Sequence, residues 1–336
     1  MTELQQQLLT IINRFPERRI VIVGDAIADR FLHGSISRVS REAPVFILRH
    51  EQTETIPGGA ANCAVNLASL GAHVSLVSVV GDDEPGTELK NKLKSAGVDI
   101  SSVLTAKNLQ TTTKVRILAG HAHSSRQQVI RIDYEGTAIS DHELRSAIVG
   151  ELKRKLSDAD ALIVSDYNYG VVDDSMTKLL KEVAQEPSFP VLVDSRFRLE
   201  SFPGLTAATP NEDEVEHLIG EALDSQAKLE ATTAELKSRL DFKALLVTRG
   251  PNGMMLLADG NVPLHIRAVG GDQPVDVTGA GDTVIATFTL GLASGASFSD
   301  AAHLANYAGG LVVMKRGTAS VTAQELEQSI LNTEVL

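Results

Sequence analysis

The sequence predicts an α/β fold, in which a mostly parallel β-sheet is covered by helices on both faces. Short apolar runs bounded by turn residues alternate with helical patterns along the 336 residues, and the connections between them are short. Two β-rich stretches, at about 31–56 and 111–134, interrupt this alternation because neither contains a helix. We therefore expect a single domain over residues 1–336, with a small β-rich lid formed by these two stretches.

Each predicted element depends on its own pattern. Apolar runs predict buried strands at Arg19–Gly24, Val74–Val80, Ala161–Ser165, Pro190–Asp194, Leu205–Thr209 and Ala244–Thr248. Helical spacing predicts a leading helix within Met1–Arg19 and further helices at Ala60–Leu70, Glu84–Ala96, His142–Leu156, Asp173–Gln185, Glu212–Ile219, Gln226–Leu240, Thr283–Ser294 and Phe298–Lys315. For the lid stretches, an antiparallel edge of the main sheet is the alternative.

The bulk composition indicates a soluble globular protein. Hydrophobic residues make up 43% of the chain, and the net charge of -12 argues against a nucleic-acid or anionic-membrane partner. The sequence contains neither an apolar run long enough to cross a membrane nor a signal peptide, so we expect a cytoplasmic protein. A single cysteine, Cys63, excludes an internal disulfide.

The most informative motif is the segment Asp276–Thr283, which runs into an apolar helical pattern. Gly279, Ala280 and Gly281 would open that helix with unpaired N–H groups, which suit a phosphate or a developing phosphoryl oxyanion. Asp282 then lies in the first turn, where its carboxylate could take the proton of an acceptor hydroxyl. The alternative is an ordinary helix start with Asp282 near the cap, and the segment alone does not separate the two.

Two other segments offer groups that could bind a sugar. Asp25 and Asp29 follow the first strand, at the sheet edge where ligands of open α/β sheets bind. Gly58 and Gly59 would let the backbone approach a ligand, and Asn62 offers both a donor and an acceptor to a polyol. Each feature alone also fits a turn, a cap or close packing.

Two further segments could serve a nucleotide and its metal ion. Asn211 and Glu214 lie three residues apart on one helix face, where they could organise Mg²⁺ directly or through its waters. Thr248 and Gly250 end another strand and could line the nucleotide site. The sequence contains no Gly-x-x-x-x-Gly-Lys-Ser/Thr loop and no Gly-x-Gly-x-x-Gly, which counts against a P-loop enzyme and a dinucleotide-dependent dehydrogenase.

Taken together, these segments resemble the PfkB, or ribokinase-like, carbohydrate kinase family over essentially the whole chain. Gly58–Gly71 looks like its N-terminal motif, Asp276–Asp282 its C-terminal motif, and Asn211-x-x-Glu214 its metal-associated motif. The resemblance implies a three-layer α/β/α sandwich, ATP and Mg²⁺ as cofactors, and Asp282 as the catalytic base. It further implies a K⁺ site beside Asp276, Thr278 and the Gly317 loop, a sugar contact by Asp166, and a nucleotide contact by Asn306. Asn211 would also border the ATP.

Within that family the chain looks most like the kinases of D-glycero-β-D-manno-heptose 7-phosphate, which make a 1,7-bisphosphate for ADP-heptose and lipopolysaccharide core synthesis. The resembling segments include Gly24–Arg30, Ser37–Val45, Thr113–Arg116 and Gln128–Asp133. One departure is Tyr169, where that subgroup tends to have a lysine before glycine. Arg41, Lys114, Arg116 or Arg196 could compensate for the missing lysine. A phosphorylated acceptor is also favoured by the basic residues of the lid stretches, for which solvated strand charges are the alternative: Arg38, Arg41, Lys114, Arg116 and Arg131.

We therefore expect an ATP-dependent kinase of a sugar or sugar phosphate, with heptose 7-phosphate as the leading acceptor. The chain ends before a nucleotidyltransferase half and has no His-x-Gly-His, so a stand-alone kinase is expected. The alternatives are the same chemistry on fructose, ribose, a nucleoside or a hexose phosphate, and a non-catalytic sugar-binding protein on the same fold. Exposed lid strands predict a homodimer, since unpaired edges seek partners.

Overall fold

The computed structural model describes residues 1–120, 127–136, 139–270 and 274–332. Its helices are, in chain order, α1 (Glu3–Ile12), α2 (Ala60–Ser69), α3 (Glu84–Ser95), α4 (His142–Leu156), α5 (Asp174–Ala184), α6 (Glu212–Ile219), α7 (Gln226–Arg239), α8 (Ala280–Ala293), α9 (Phe298–Val312) and α10 (Ala323–Asn332). Its strands are β1 (Arg19–Gly24), β2 (Ala26–Val39), β3 (Phe46–Gly59), β4 (His73–Gly81), β5 (Val103–Ala106), β6 (Thr113–Gly120), β7 (Gln127–Tyr134), β8 (Ala161–Asp166), β9 (Val191–Ser195), β10 (Ala207–Ala208), β11 (Ala244–Thr248), β12 (Met254–Ala258) and β13 (Leu264–Ile266).

The larger sheet has the strand order β13-β12-β11-β10-β9-β8-β1-β4-β5. In this spatial order, all neighbouring strands between β11 and β5 pair in parallel. Strands β12 and β13 join antiparallel at the β11 edge. Side chains alternate between the two faces, so that Ile20 and Ile22 of β1 enter one hydrophobic cluster while Val21 and Val23 enter another. Helices α1–α3 and α8–α10 contribute to the first cluster, and α4–α7 to the second. The predicted α/β/α sandwich is thereby confirmed.

The two β-rich stretches form a separate sheet with the order β3-β2-β6-β7. Strands β2 and β6 are parallel in this lid, whereas β3 and β7 pair antiparallel with β2 and β6. A separate lid is confirmed, and the alternative of an antiparallel edge on the main sheet was wrong for these stretches. That edge consists instead of β12 and β13, which the sequence analysis did not predict. Residues 121–126 of the predicted lid lie outside the described residues.

Most predicted boundaries agree with the structure to within two residues, and two helix ends differ by three. Helix α8 begins at Ala280 instead of Thr283, because Gly279 adopts a left-handed conformation (φ 79°) that starts the helix earlier. Helix α9 ends at Val312 instead of Lys315, where Lys315 N–H turns back to the Val312 carbonyl. The strand predicted at Leu205–Thr209 shortens to β10, which pairs with β9 and β11 only at Ala207 and Ala208.

The lid and the main sheet meet where β1 passes into β2 after a single intervening residue, Asp25. The first residues of β2, Ala26–Asp29, are buried, and they pair with Ile56–Gly59 at the end of β3. Gly58 and Gly59, which the sequence analysis placed before the Ala60–Leu70 helix, lie at the end of strand β3, at the base of the lid. Within the four described ranges, no helix has the length and apolar character needed to span a membrane.

Candidate active site

A cavity of about 440 Å³ lies between the carboxyl ends of the main-sheet strands, the base of the lid and the start of α8. Fourteen of the predicted site residues line it: Asp29, Gly58, Gly59, Lys114, Arg116, Asp166, Asn211, Glu214, Thr248, Thr278, Gly279, Ala280, Gly281 and Asp282. Motifs that lie far apart in the sequence therefore meet around one cavity.

Asp282 lies in the first turn of α8, with 4% of its surface exposed. Its two carboxylate oxygens accept hydrogen bonds from different elements: Asn62 Nδ2 of α2 donates at 2.7 Å, and the Tyr167 hydroxyl after β8 donates at 3.0 Å. Burial raises the pKa of Asp282 to about 6, although both hydrogen bonds act to lower it. A carboxyl group with a pKa near neutrality is suited to accept a proton.

Two of the three N–H groups predicted to bind an anion, those of Gly279 and Gly281 at the start of α8, lack a partner within the described part of the chain. Gly281 and Asp282 N–H have no acceptor among the described residues, nor does that of Gly279. The Ala280 N–H instead donates to the Val277 carbonyl at 3.2 Å. Gly279 needs to be glycine for two reasons: its φ is 79°, and a Cβ there would lie 2.5 Å from Asn62 Nδ2. The unpaired amides thus face the cavity beside the Asp282 carboxylate.

At the base of the lid, Asp29 of β2 forms an ion pair with Arg116 of β6. Both side chains are largely buried, and both line the cavity. Gly58 lies directly against this pair, since a Cβ on Gly58 would approach Asp29 Oδ2 to 2.5 Å. The Arg116 guanidinium also lies over the Phe31 ring, 5.4 Å from its centroid. The ion pair therefore connects the lid strands where they border the cavity.

Lys114 of β6 is the second lid cation at the cavity. Its Nζ lies 5.6 Å from the centroid of the Tyr167 ring and 5.8 Å from that of Tyr169. Burial lowers the pKa of Lys114, the nearby Asp29 opposes that effect, and Arg196 adds to it. Among the described residues, neither Lys114 nor Arg196 forms an ion pair with a carboxylate. Two cations are therefore available to a ligand.

Two predicted sugar ligands have most of their hydrogen-bonding capacity occupied by the protein. Asp25 does not line the main cavity: its carboxylate accepts N–H bonds from Tyr167 at 2.8 Å, Tyr169 at 3.1 Å and Val171 at 3.1 Å. Asp166 does line it, but accepts from Ser195 Oγ at 2.7 Å and from Arg198 Nη2 at 3.0 Å. Asp25 thus holds the loop that carries Tyr167, and Asp166 anchors the segment after β9.

Asn211 and Glu214 form a reciprocal capping box at the start of α6. Glu214 N–H donates to Asn211 Oδ1 at 2.8 Å, and Asn211 N–H donates to Glu214 Oε2 at 3.0 Å. Thr248 lies beside them, because its N–H donates to the Pro210 carbonyl. Burial raises the pKa of Glu214. In the part of the chain that the structure describes, no group of three His, Cys, Asp or Glu residues could hold a metal ion directly.

The remaining predicted residues do not line the cavity. Asp276 accepts N–H bonds from Thr278 at 2.9 Å and from Gly317 at 3.1 Å, and so ties the turn before α8 to the later loop. Asn306 of α9 is buried and donates to the Arg267 carbonyl at 2.7 Å. Gly250 begins a 3-10 turn (Gly250–Asn252) after β11, with φ 52°. Asn62 does not line the cavity itself but donates a hydrogen bond to Asp282, which does.

Residues 17–325 match the family described as pfkB family carbohydrate kinase. The chain belongs to this family. Bifunctional protein HldE of Pseudomonas aeruginosa (strain LESB58) is 41% identical over 318 residues, and that of Hahella chejuensis (strain KCTC 2396) is 39% identical over 319. Each alignment covers 94% of this chain and 64% of the relative, so the pfkB chain spans less than two thirds of the length of these proteins.

Solved structures show the same fold at lower identity. Arabidopsis thaliana ribokinase, in complex with ribose and ATP, gives a TM-score of 0.73 at 21% identity and covers 94% of this chain and 99% of its own. Phosphofructokinase-2 from Escherichia coli, in complex with potassium, gives a TM-score of 0.76 at 20% identity. That alignment covers 94% of this chain and 98% of the phosphofructokinase chain. The pfkB chain therefore has a ribokinase-like fold.

Sequence reasoning missed several cavity residues: Tyr167, Asp194, Thr209 and Thr318. Asp194 lies one residue before the end of β9, and burial together with the charges of Glu214 and Asp282 raises its pKa well above the ordinary range. A strand-end signal existed for Asp194, because it closes the apolar run Pro190–Asp194. Tyr167 had no comparable signal, because its contact with Asp282 joins residues 115 positions apart.

The raised pKa of Asp282 predicts a pH-dependent stability. Since an unfolded aspartate has a pKa of about 3.9, the folded protein loses about 2–3 kcal/mol from this group as the pH rises from about 4 to above 6. The variant Asp282→Asn lacks that titration, so its free energy of unfolding should exceed the wild-type value by this amount at pH 7.5. Urea denaturation at pH 4 and pH 7.5 tests this. The difference should be absent at pH 4, and a difference that is the same at both pH values would contradict the assignment.

Proposed function

We propose that this pfkB kinase transfers the γ-phosphoryl group of ATP to the anomeric hydroxyl of D-glycero-β-D-manno-heptose 7-phosphate. The observation that carries phosphoryl transfer is the position of Asp282 beside the unpaired N–H groups of Gly279 and Gly281 in one cavity. The choice of acceptor is supported by 41% identity to a bifunctional HldE protein and by the resemblance to heptose 7-phosphate kinases. We also propose a cytoplasmic location, which the buried free thiol of Cys63 suits.

In this reaction the carboxylate of Asp282 takes the proton of the acceptor hydroxyl. The acceptor oxygen forms a bond to the γ-phosphorus as the bond from that phosphorus to the β,γ-bridging oxygen breaks, and ADP leaves. The N–H groups at the start of α8 donate to the phosphoryl oxygens as charge develops on them. Asp29, Gly58 and Gly59 border the sugar, whereas Thr248 and Asn211 border the nucleotide.

The residues present fit the two metal ions that the family implies. Asn211 Oδ1 and Glu214 Oε2 each accept one N–H, so lone pairs remain to hold Mg²⁺ through its waters, and the cation would favour the ionised Glu214. Bound Mg²⁺ neutralises charge on the ATP phosphates. The Asp276 carboxylate likewise accepts only two N–H bonds among the described residues, which leaves capacity for a monovalent cation beside Thr278.

A phosphorylated acceptor is favoured by the two cations without ion pairs, Lys114 and Arg196. Lys114 is half-buried, and a half-buried cation without a counter-ion is costly unless a ligand supplies the charge. Arg196 is exposed, and it supports the proposal only by lining the same cavity. Arg116 is less available, because it already binds Asp29. Lys114 is held against two tyrosine rings, one of them Tyr169, which stands where the related kinases tend to have a lysine. We propose that Lys114 and Arg196 bind the 7-phosphate.

The first test is ADP release from ATP and Mg²⁺ with a panel of acceptors: heptose 7-phosphate, fructose, ribose, a nucleoside and a hexose phosphate. We expect turnover with heptose 7-phosphate, and a loss of about 10²–10⁴-fold in kcat for Asp282→Asn with ATP binding retained. In the wild type, kcat should fall as the pH drops below about 6, because Asp282 becomes protonated. The control Asp213→Asn, an exposed acid on α6, should leave kcat unchanged.

The panel also separates the alternatives. Activity with free sugars alone would reject heptose 7-phosphate as the acceptor while retaining the kinase. The absence of turnover with every acceptor would favour a sugar-binding protein, and normal turnover by Asp282→Asn would reject its role as the base.

The second test concerns the phosphate site. Lys114→Met should raise the KM for heptose 7-phosphate by about 10–100-fold, the effect expected from losing a charged hydrogen bond, and leave the KM for ATP unchanged. Lys92→Met, which removes an exposed lysine on α3, is the control. An equal loss for phosphorylated and unphosphorylated acceptors would contradict a phosphate contact.

The third test concerns the homodimer, which we propose forms through the lid. The lid's edge strands β3 and β7 carry exposed apolar side chains, including Phe46 at 60% and Ile130 at 51% exposure. A second copy would cover these side chains. Sedimentation analysis should give a dimer for the wild type and a monomer for Ile130→Asp. Val262→Asp, at an exposed position outside the lid, should stay dimeric, and a dimeric Ile130→Asp would reject this interface.

A further inference from the structure

A continuous set of buried hydrogen bonds connects α2 to the first turn of α8. Asn62 Nδ2 donates to Asp282 at 2.7 Å; Asn66 Nδ2 donates to the Asn62 carbonyl at 3.0 Å and to Asn62 Oδ1 at 3.2 Å. Thr283 Oγ1 donates to Asn66 Oδ1 at 2.9 Å, so the set returns to the residue after Asp282. Asn66 and Thr283 are fully buried, and Asn62 and Asp282 are 3% and 4% exposed.

The contacts determine which amide atom of Asn66 and of Asn62 is the donor and which is the acceptor. A backbone carbonyl can only accept, so the Asn66 atom against the Asn62 carbonyl must be Nδ2. The second hydrogen of that nitrogen points to the Asn62 side chain, which must present its oxygen there and therefore its nitrogen to Asp282. Without Asn66, only the charge of Asp282 would orient the Asn62 amide. That charge disappears each time the carboxylate takes a proton.

We propose that Asn66 is a positioning residue for Asp282: it keeps Asn62 Nδ2 directed at the carboxylate in both protonation states. The proposal depends on the role of Asp282 as the base in the proposed function. Because a donor stabilises the ionised carboxylate, loss of Asn66 lets the Asn62 amide turn its oxygen to Asp282 and disfavours that form. Asp282 then becomes a weaker acid, and its ionised form, which acts as the base, is populated only at higher pH.

Other groups also face Asp282 and act on its titration. Tyr167 from the loop after β8 donates to it, Asp29 of β2 raises its pKa, and Lys114 of β6 lowers it. Asp194 of β9 and the Cys63 thiol of α2 also interact electrostatically with it. Among the described residues, the Asn66 side chain forms no hydrogen bond with any of these five and bonds only Asn62 and Thr283. Its effect can therefore be separated from theirs.

The experiment is a direct titration of Asp282 by carboxyl ¹³C NMR in protein without substrate, with the resonance assigned by its loss in Asp282→Asn. In Asn66→Leu, which retains bulk but removes the amide, the pKa of Asp282 should rise by about one pH unit. The acidic limb of the kcat profile should move by the same amount, which lowers kcat about tenfold below pH 6 and leaves the KM for ATP unchanged.

Two threonines of α8 serve as matched variants. Thr283→Val removes the donor to Asn66 Oδ1, together with the longer hydrogen bond to the Gly279 carbonyl at 3.2 Å, and should give a smaller rise in the Asp282 pKa. Thr287→Val removes an equally buried hydroxyl one turn later, whose hydrogen bond goes to the Thr283 carbonyl. This variant should leave the Asp282 pKa unchanged. A wild-type titration in Asn66→Leu, or an equal shift in both threonine variants, would overturn the proposal.

If Asn66→Leu does not fold, the threonine pair decides by the same criteria. The titration requires no acceptor, so a failure to find turnover would count against the proposed function and not against the positioning role of Asn66.

Discussion

The structure of the site depends on one buried carboxylate, Asp282, at the N-terminal turn of a helix. Burying a charge is unfavourable unless donors surround it, and here the donors come from two distant parts of the chain, Asn62 on α2 and Tyr167 after β8. These bonds connect α8 to α2 and to the carboxyl edge of the main sheet. Because the donors only partly offset the burial, the carboxyl retains a pKa of about 6. This incomplete compensation is what suits Asp282 to its proposed role as the base.

The rest of the site holds those donors in place. Asp25 accepts three backbone N–H groups from Tyr167, Tyr169 and Val171, so a buried acid that does not line the cavity determines where the Tyr167 hydroxyl lies. The same loop presents the two rings against which Lys114 is held. A single aspartate after β1 thus affects both the proposed base and the cation proposed to bind the acceptor phosphate. The cost of burying the Asp25 carboxylate is partly offset by its three N–H hydrogen bonds, and its pKa stays raised.

Sequence reasoning predicted the layers of the fold because they depend on local apolar patterns. The runs that form β1, β8, β9 and β11 are recognisable from their residues alone, and so is the glycine-rich start of α8. It could not predict β12 and β13 as the antiparallel edge, because their partners are chosen by the rest of the sheet. The length of β10 was overestimated for the same reason, because pairing with its neighbours, and not composition, limits this strand to Ala207 and Ala208.

Within the site, the sequence identified residues whose role follows from local backbone geometry and missed those whose role follows from contact between remote segments. Gly279–Asp282 belong to the first kind, and their place in the cavity follows from one turn of helix. Asp25 and Asp29 look alike in the sequence, only four residues apart, yet one faces the loop after β8 and the other the cavity. The difference arises because Asp25 lies between β1 and β2, at the edge of the main sheet, whereas Asp29 lies within the lid strand β2. Which of two similar acids faces a substrate is therefore set by the packing of the lid on the sheet, and that packing is a property of the folded chain.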